Sequence, residues 1–329
     1  MRTKAVYVVV SGEADVYFEQ AWVSAWSLKH YNPEMEVECV VDPDTYDQVM
    51  SSYRRQALSV IDRLVRVEVP AHYCKKERSR WLKTSVRQHV EGDFLFLFID
   101  TDTIVCDSLR DLDSLEDDVM MVRDHHCPLS EMSDARWIIK GIEKASGSRY
   151  TEVDYYNSGV IYTKDTPAAH AFFEAWHTQW KEYHKKGVHF DQCSLAALNA
   201  RVHTIQDLDD IYNCQIHLSV RFLHRARIVH FFNNQSPQNR AHPFDTSEVY
   251  LQVKREQALS PAVRQMALDC KSLFYSQTYI LGGEERVMYD DYVCRLLRET
   301  VVRCPWLYSL INLVSRPVLI ACLALKRKK

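Results

Sequence analysis

Two aspartates, one residue apart, follow an unbroken apolar run in the segment FLFLFIDTDTIV, residues 94–105. The run is typical of a strand buried on both faces, which delivers the residues after it into the crevice where α/β proteins bind ligands. There, Asp100 and Asp102 would converge on one hard divalent cation, the kind of ion that bridges the phosphates of a nucleotide. The spacing therefore predicts the metal site of an enzyme that handles nucleotide-activated substrates.

The same Asp-x-Asp spacing recurs at Asp42 and Asp44 and at Asp111 and Asp113. The first copy follows the short apolar run VECVV, but the proline between its aspartates favours a turn that leads into a helix. The second copy lies in the polar stretch DSLRDLDSLEDD, which is typical of a solvated turn. The copy after the long apolar run is thus the one expected to be functional, because a motif counts only in its structural context.

Composition narrows the class of protein. The chain has 329 residues, of which 47% are hydrophobic, and a formal net charge of −3 at pH 7. A large buried core is therefore possible, and nucleic acid is not expected as a partner. The ten cysteines are scattered, which predicts free thiols in a reducing compartment. The first apolar run breaks at Ser11, too early for a secretory signal, so we expect a cytoplasmic protein.

The C-terminal tail, residues 306–329, is apolar apart from Arg316 and ends in four basic residues. Two interpretations remain open. In one, the tail lies on the cytosolic face of a membrane, with Trp306, Tyr308 and the basic residues among anionic headgroups. In the other, it forms a helical hairpin that bends at Pro317 and packs on the catalytic domain.

Apolar runs of strand length alternate with helical patterns, which predicts an α/β fold. The predicted strands cover residues 6–10, 36–41, 64–69, 94–99, 119–122, 155–162 and 227–232, and the predicted helices cover residues 18–30, 45–58, 78–90, 167–183 and 191–199. Thr166-Pro167 supplies an N-cap oxygen and a proline at the start of its helix.

Domain organisation follows from the same pattern. Residues 131–150 are polar and poorly periodic, so they are expected to be a connection that acts as a lid or an acceptor loop. The simplest partition is a catalytic domain at 1–240, a helical extension at 241–305 and the tail at 306–329.

The sequence lacks the common short motifs of phosphate-binding loops and of hydrolases. It contains no G-x-G-x-x-G, no Walker A loop, no H-E-x-x-H and no G-x-S-x-G, and it has only eight glycines. A bound diphosphate would therefore have to be neutralised by a metal ion and by side chains.

Four segments surround the aspartate pair in a recognisable order: RSRWLK at 78–83, YYNSGVIY at 155–162, HFDQCSLAALN at 189–199 and RIVHFF at 227–232. Together they resemble the metal-dependent GT-A glycosyltransferases, most closely the retaining glycogenin and lipopolysaccharide galactosyltransferase type, over residues ~4 to ~235. The resemblance implies the GT-A fold, a single doubly wound mixed sheet with helices on both faces, followed here by a C-terminal helical appendix.

The resemblance also implies a ligand set. Asp100 and Asp102 match the metal-binding pair and His230 matches the third protein ligand, around a divalent ion that bridges the phosphates of a sugar nucleotide. Two carboxylates and one imidazole suit Mn²⁺, with Mg²⁺ as the alternative. Without the other motifs, His230 would be interpreted as a core histidine on a buried strand.

Further positions match the sugar-binding part of the family pattern. Asn157 and Ser158 match a turn that faces the donor sugar, and Asp191 and Gln192 match the pair beside the anomeric carbon. Asp124 matches more loosely a residue that also faces the sugar.

Two cations, Arg80 and Lys83, lie one helical turn apart and are expected near the nucleotide or the transferred sugar, the alternative being solvated surface charges. The end of the first strand, Val10-Ser11-Gly12, matches the region that binds base and ribose. Tyr17 is placed to stack on the base, or is simply an aromatic residue at a helix start.

One departure from the family pattern concerns the segment after His230. Family members commonly continue with a glycine and a Lys-Pro-Trp whose lysine touches the phosphates, whereas here the sequence is HFFNNQSPQNRAHP. Asn233, Asn234 and Arg240 are the candidates to replace that lysine.

The expected reaction is transfer of a hexose from a UDP-sugar to a hydroxyl acceptor, a glycan or lipid-linked glycan, with retention of anomeric configuration. Three alternatives remain: an inverting enzyme of the same fold, a sugar nucleotidyltransferase, and a catalytically silent protein that binds a glycan or nucleotide. The second normally needs a glycine-rich, basic N-terminal loop, which VVVSGEAD does not supply.

Overall fold

The structure is a computed structural model that describes residues 2–90, 95–132, 135–150, 153–216, 221–232, 242–273, 297, 300 and 304–326. The strands are β1 (Thr3–Val9), β2 (Val37–Val41), β3 (Arg63–Arg66), β4 (Leu95–Ile99), β5 (Thr103–Val105), β6 (Val119–Arg123), β7 (Tyr156–Thr163), β8 (Ile205–Asp207), β9 (Cys214–Gln215) and β10 (Ile228–His230). The helices are α1 (Tyr17–Tyr31), α2 (Pro43–Ser51), α3 (Lys75–Thr84), α4 (Ala135–Ser146), α5 (Pro167–Lys185), α6 (Asp191–Val202), α7 (Glu248–Glu256), α8 (Pro261–Leu268) and α9 (Pro305–Lys326).

Seven strands form one mixed sheet in the order β3-β2-β1-β4-β7-β6-β8. The first four are parallel, whereas β7 runs antiparallel to both β4 and β6. The chain moves outward from β1 to β3 on one side and then returns to place β4 on the other side of β1. The crevice at the carboxyl ends of β1 and β4 is therefore a topological switch point, where α/β sheets bind ligands.

Alternate residues of the central strands pack into two hydrophobic cores. Tyr7 of β1 and Leu97 of β4 pack with α1 on one face. On the opposite face, Val8 and Phe98 pack with Leu82 of α3 and with aromatic residues of α5. Helices thus cover both faces, as expected for a doubly wound sheet, and this agrees with the apolar character of the β4 sequence.

A second, three-stranded sheet has the order β5-β10-β9. Its strands β5 and β10 pair antiparallel, with Thr103 opposite His230. Because β5 begins directly after the Asp-x-Asp turn, this pairing brings the late histidine strand to the carboxyl end of β4.

Several predictions of local structure are confirmed. The Thr166 hydroxyl accepts a hydrogen bond from the Ala169 N–H at 3.2 Å, so it caps α5. The Asp42 side chain likewise caps α2, since it accepts from the Thr45 N–H at 3.1 Å, and this is the turn-to-helix role expected of that copy of Asp-x-Asp. Cys39, Cys193 and Cys214 are buried free thiols.

The prediction of a poorly periodic connection at residues 131–150 is wrong for most of that segment, because residues 135–146 form α4. Its buried positions Ala135, Ile138, Ile142 and Ala145 recur at helical spacing and pack in a third core with α6. Trp137, which is 59% exposed, adds an apolar residue to the outer face and so blurs the amphipathic pattern of the helix. The role of residues 131–150 as a lid or an acceptor loop stays a prediction.

The C-terminal segment forms one continuous helix, α9, with Pro317 inside it. The hairpin interpretation is therefore wrong. In the described part of the chain, one helix is both long and apolar enough to cross a membrane, and it is this one, with none of the residues in its apolar window buried. Leu313 is 70% exposed and Trp306 69%.

Candidate functional site

The predicted metal ligands come together at the switch point. Asp100 and Asp102 lie in the turn between β4 and β5, and His230 is the last residue of β10. The Phe231 N–H donates to the Asp102 carbonyl at 3.0 Å, which continues the β5–β10 pairing and fixes the histidine beside the turn. The His230 Nε2 lies 3.2 Å from Asp102 Oδ1, and the three potential ligand atoms are all within 4.8 Å of one another.

The orientation of the His230 ring is set by Asn213. The His230 Nδ1 lies 3.0 Å from Asn213 Oδ1, an oxygen that can only accept, so Nδ1 carries the proton. The other ring nitrogen, Nε2, faces the carboxylates, and metal-ligating histidines are held in this way by a second hydrogen bond. The Asn213 Nδ2 donates in turn to Asn157 Oδ1 at 2.9 Å.

Gly159 leaves room for this ring. A Cβ atom at position 159 would lie 2.8 Å from His230 Nδ1 and 2.9 Å from Asn157 Oδ1, closer than real Cβ contacts. The glycine carbonyl also accepts from the Asp100 N–H at 2.7 Å, so β7 supports the ligand turn through its backbone.

Lys83 lies between two carboxylates. Its Nζ is 3.0 Å from both oxygens of Asp100 and 3.7 Å from Asp191 Oδ2. Burial works to lower the pKa of Lys83, but the charges of Asp100 and Asp191 outweigh it and raise that pKa. Burial, together with repulsion from Asp102, raises the pKa of Asp100 even though Lys83 opposes the shift.

Asp191 is the first residue of α6 and is buried. The Ser158 hydroxyl donates to its Oδ2 at 2.7 Å, and Arg80 Nε lies 3.7 Å from its Oδ1. Burial works to raise the pKa of Asp191, but Lys83, Arg80 and the Ser158 hydrogen bond outweigh it and lower that pKa. The predicted pair Arg80 and Lys83 is thus directed into the site and is not merely a pair of solvated charges.

A row of amide and carboxylate side chains continues from the histidine. The Asn157 Nδ2 donates to Asp124 Oδ1 at 2.9 Å, and the Gln192 Nε2 donates to Asp124 Oδ2 at 3.3 Å and to the Tyr156 carbonyl at 3.1 Å. Of the predicted sugar-binding residues, Asn157, Asp124 and Gln192 therefore form one hydrogen-bonded row that reaches His230 through Asn213. Ser158 and Asp191 form a separate hydrogen-bonded pair.

The predicted base-binding segment lies at the end of β1. The Ser11 N–H donates to Thr45 Oγ1 at 2.8 Å and the Gly12 N–H donates to Asp15 at 2.8 Å, so these groups already have partners within the chain. Val10 is buried, and Tyr17 is 43% exposed as the first residue of α1. The roles of these four residues stay predictions. The replacements suggested for the missing lysine, residues 233, 234 and 240, lie outside the described residues.

Sequence reasoning missed Asn213 and Gly159. Asn213 lies in no motif, and only the pairing of β9 with β10 brings it to the histidine. Gly159 was visible in YYNSGVIY, and a glycine inside an apolar strand is a signal of close approach by another group.

The donor atoms fit a divalent cation. Two carboxylates supply hard oxygen ligands, and the oriented Nε2 supplies one imidazole nitrogen. Carboxylate ligands suit Mg²⁺ and Mn²⁺, and the imidazole favours Mn²⁺ of the two.

Comparison with known proteins gives the family and the fold. Residues 37–254 match the family model described as nucleotide-diphospho-sugar transferase. The structure is similar to that of the galactosyltransferase LgtC in complex with donor and acceptor sugar analogs, with 16% identity, a TM-score of 0.50, and coverage of 80% of this chain and 100% of that one. It is also similar to the WbbM bifunctional glycosyltransferase, with 14% identity, a TM-score of 0.53, and coverage of 80% of this chain and 51% of that one. Among curated proteins, none matches the sequence. The predicted GT-A fold is confirmed.

Proposed function

The chain belongs to the nucleotide-diphospho-sugar transferase family, and from this premise we propose that it is a metal-dependent hexosyltransferase that uses a UDP-sugar. The observation that supports the proposal most is the convergence of Asp100, Asp102 and His230 at the topological switch point. A diphosphate bound there would meet the metal ligands and the Lys83 ammonium, which lies 3.0 Å from the Asp100 oxygens.

Asp100, Asp102 and His230 would hold the ion, for which we propose Mn²⁺. When bound, such an ion supplies positive charge to the phosphates of the departing nucleoside diphosphate. Lys83 adds a fixed positive charge that costs no reorganisation at the moment of reaction. Its raised pKa keeps it protonated over the physiological range.

The sugar would lie against Asp191 and Gln192. Asp191 is held ionised by Lys83, Arg80 and Ser158, so a negative charge is available to stabilise positive charge that develops on the sugar ring. We expect Asn157, Ser158 and Asp124 to hydrogen-bond sugar hydroxyls, because the Asn157–Asp124 and Ser158–Asp191 hydrogen bonds fix the orientations of these side chains.

Retention of configuration is part of the proposal. In a retaining reaction, a phosphate oxygen of the leaving group takes the acceptor's proton on the same face of the sugar, so no separate protein base is needed. An inverting reaction needs a carboxylate base on the opposite face. Anomer-resolved analysis of the product distinguishes the two, and a β-linkage formed from an α-linked donor would contradict retention.

The direct test is donor hydrolysis and transfer with Asp102→Asn. We expect Mn²⁺-dependent turnover of UDP-hexose to fall at least 100-fold, because one ligand loses its charge. Asp44→Asn is the matched control, since Asp44 is also the second aspartate of an Asp-x-Asp but lies exposed in α2, 2.8 Å from Arg78. Its turnover should match that of the unchanged chain.

A thermal-shift screen gives an independent measurement. UDP-sugars should raise the melting temperature of the chain more with Mn²⁺ than without it, because ligands that bind the folded state stabilise it. Nucleotide binding that is indifferent to metal and unaltered by Asp102→Asn, with no turnover, would instead support a catalytically silent binding protein.

The acceptor is proposed to be a glycan carried on a lipid at the cytosolic face of a membrane. Two features of the C-terminal tail support this proposal: the exposed apolar surface of α9 and the four basic residues 326–329 of the sequence, whose charge complements anionic headgroups. The full chain should sediment with vesicles that contain anionic lipid, whereas a chain that ends before Trp306 should not. Equal sedimentation of both would contradict membrane contact.

A further inference from the structure

A second cluster of potential metal ligands lies away from the first site. Glu77 is in the first turn of α3, His184 is near the end of α5, and His189 lies in the loop between α5 and α6. The Glu77 Oε1 is 2.8 Å from His184 Nε2 and 3.8 Å from His189 Nδ1. One ligand atom from each residue lies within 4.8 Å of the other two.

We propose that Glu77, His184 and His189 form a second metal site, selective for Zn²⁺ or a similar transition-metal ion. Two imidazoles and one carboxylate are the ligands of open zinc sites, which keep a further position for water. A set with two imidazole nitrogens does not suit Mg²⁺ or Ca²⁺, which prefer oxygen ligands. The half-exposed His189 leaves this cluster accessible from solvent, so an ion can enter without a rearrangement of the fold.

The carboxylate is already fixed in place. Glu77 Oε2 accepts from the Cys74 N–H at 2.8 Å, which leaves Oε1 directed at the two imidazoles. That backbone hydrogen bond, together with the one to His184, lowers the pKa of Glu77 to about 2, so the carboxylate is ionised at neutral pH. The Cys74 thiol also hydrogen-bonds this carboxylate, which places a soft sulfur atom beside the cluster.

The histidine rings are held by aromatic neighbours. The His184 ring centroid lies 5.3 Å from that of Trp180 and 5.2 Å from that of Tyr73. The rings of His184 and His189 are 4.6 Å apart with an interplanar angle of 75°. The packing restricts the rotamers of His184, so less ordering is needed when an ion binds.

An ion at this cluster would join α3 to the start of α6. On α3, Glu77 precedes Arg80 and Lys83, and His189 comes two residues before Asp191. Those three residues are the charged groups that meet at the proposed sugar site. A bound ion would thus link α3 to the start of α6 and fix the distance between them. Zn²⁺ is therefore expected to raise the thermal stability of the whole chain.

The test is Zn²⁺ binding to the full chain after removal of bound metal by a chelator, measured by competition with a chromophoric chelator. His189→Gln should lose one equivalent of Zn²⁺, or bind it at least tenfold more weakly, and should lose the Zn²⁺-induced rise in melting temperature. His170→Gln is the matched control, because His170 is 49% exposed against 50% for His189 and also contacts a carboxylate, that of Asp165. Among the described residues, His170 belongs to no cluster of three potential metal ligands. The control variant should bind Zn²⁺ like the unchanged chain.

Asp102→Asn separates the two sites. This variant should keep the equivalent of Zn²⁺ that His189→Gln removes, whatever its effect on sugar transfer. The proposal is overturned if His189→Gln binds as much Zn²⁺ as the His170→Gln control, or if the Asp102→Asn variant binds none. His184→Gln gives a second, independent measurement, and unchanged Zn²⁺ binding in that variant would also overturn the proposal.

Discussion

Asn213 offers a direct test of how the metal ligand is oriented. The side chain is fully buried and joins His230 to Asn157 through hydrogen bonds of 3.0 and 2.9 Å. In Asn213→Ala, the His230 Nδ1–H loses this acceptor, whereas Asn157 Oδ1 keeps the hydrogen bond from the Gly159 N–H at 2.9 Å. The variant therefore leaves only the His230 Nδ1–H without its hydrogen-bond partner.

The expected losses of stability and of Mn²⁺ affinity follow from this single lost hydrogen bond. A buried polar group left without a partner costs about 1–3 kcal/mol, and loss of the group that orients a metal ligand typically weakens metal affinity about 10–100-fold. We expect Asn213→Ala to fold with a lowered melting temperature and to bind Mn²⁺ about 10–100-fold more weakly in the presence of UDP. Titration calorimetry or Mn²⁺ electron paramagnetic resonance measures the affinity, and thermal unfolding measures the stability.

The control is a second buried asparagine. Asn199 is also buried, and its Oδ1 accepts from the Ile205 N–H at 3.0 Å, outside the cluster of metal ligands. Asn199→Ala should lower the melting temperature by a similar amount but leave Mn²⁺ affinity unchanged. If the two variants weaken Mn²⁺ binding equally, or neither does, then the Asn213 hydrogen bond does not orient the ligand and the reasoning is refuted.

Three further predictions concern neighbouring groups. Gly159→Ala should weaken Mn²⁺ binding at least tenfold, because the added methyl group would overlap the His230 ring. Lys83→Met should raise the Mn²⁺ affinity of the nucleotide-free chain by about tenfold, since it removes a positive charge 3.0 Å from the Asp100 oxygens, while sugar transfer falls. Glu77→Gln should destabilise the metal-free chain at pH 7 and not at pH 2. Folding lowers the pKa of Glu77 from 4.5 to about 2, so the stability that its ionised carboxylate contributes is present above pH 4.5 and is lost as the pH falls to 2.

Each of these has a result that would count against it. Gly141→Ala is the control for Gly159→Ala, since the added Cβ would make an ordinary 3.6 Å contact with Cys193 Sγ. Equal losses of Mn²⁺ affinity in the two variants would exclude a steric clash with His230 as the cause. An unchanged or weakened Mn²⁺ affinity in Lys83→Met would show that the ammonium does not oppose the ion. A stability difference for Glu77→Gln that persists unchanged at pH 2 would show that ionisation of the carboxylate is not its source.

The central part of the fold could be predicted because its signals are local. The apolar run before Asp100 indicates a strand buried on both faces, and Thr166-Pro167 indicates the start of a helix. The family resemblance added His230, whose role as a ligand no local pattern distinguishes from that of a core histidine. The three proposed ligands were therefore predicted in two ways, the carboxylates from a strand pattern and the histidine from an order of motifs.

What could not be predicted depends on contacts between distant segments. The strands β5, β8 and β9 have two or three residues each, too few for a period to be recognised. Helix α4 is a different case, since its buried residues do recur at helical spacing, but the exposed Trp137 blurs the apolar face and Gly141 lowers the helix propensity. Asn213 has no signature at all, since its function arises only from the pairing of β9 with β10.

The pairing of β5 with β10 also bears on how the protein is made. It joins Asp102 to a histidine about 130 residues further along the chain, and such long-range strand pairs form slowly and late. A ribosome must therefore complete most of the catalytic domain before all three ligands can meet. A chain synthesised only as far as β9 would have both carboxylates of the set but not the imidazole of His230. Tight retention of an ion by all three residues would therefore indicate that this part of the fold is complete.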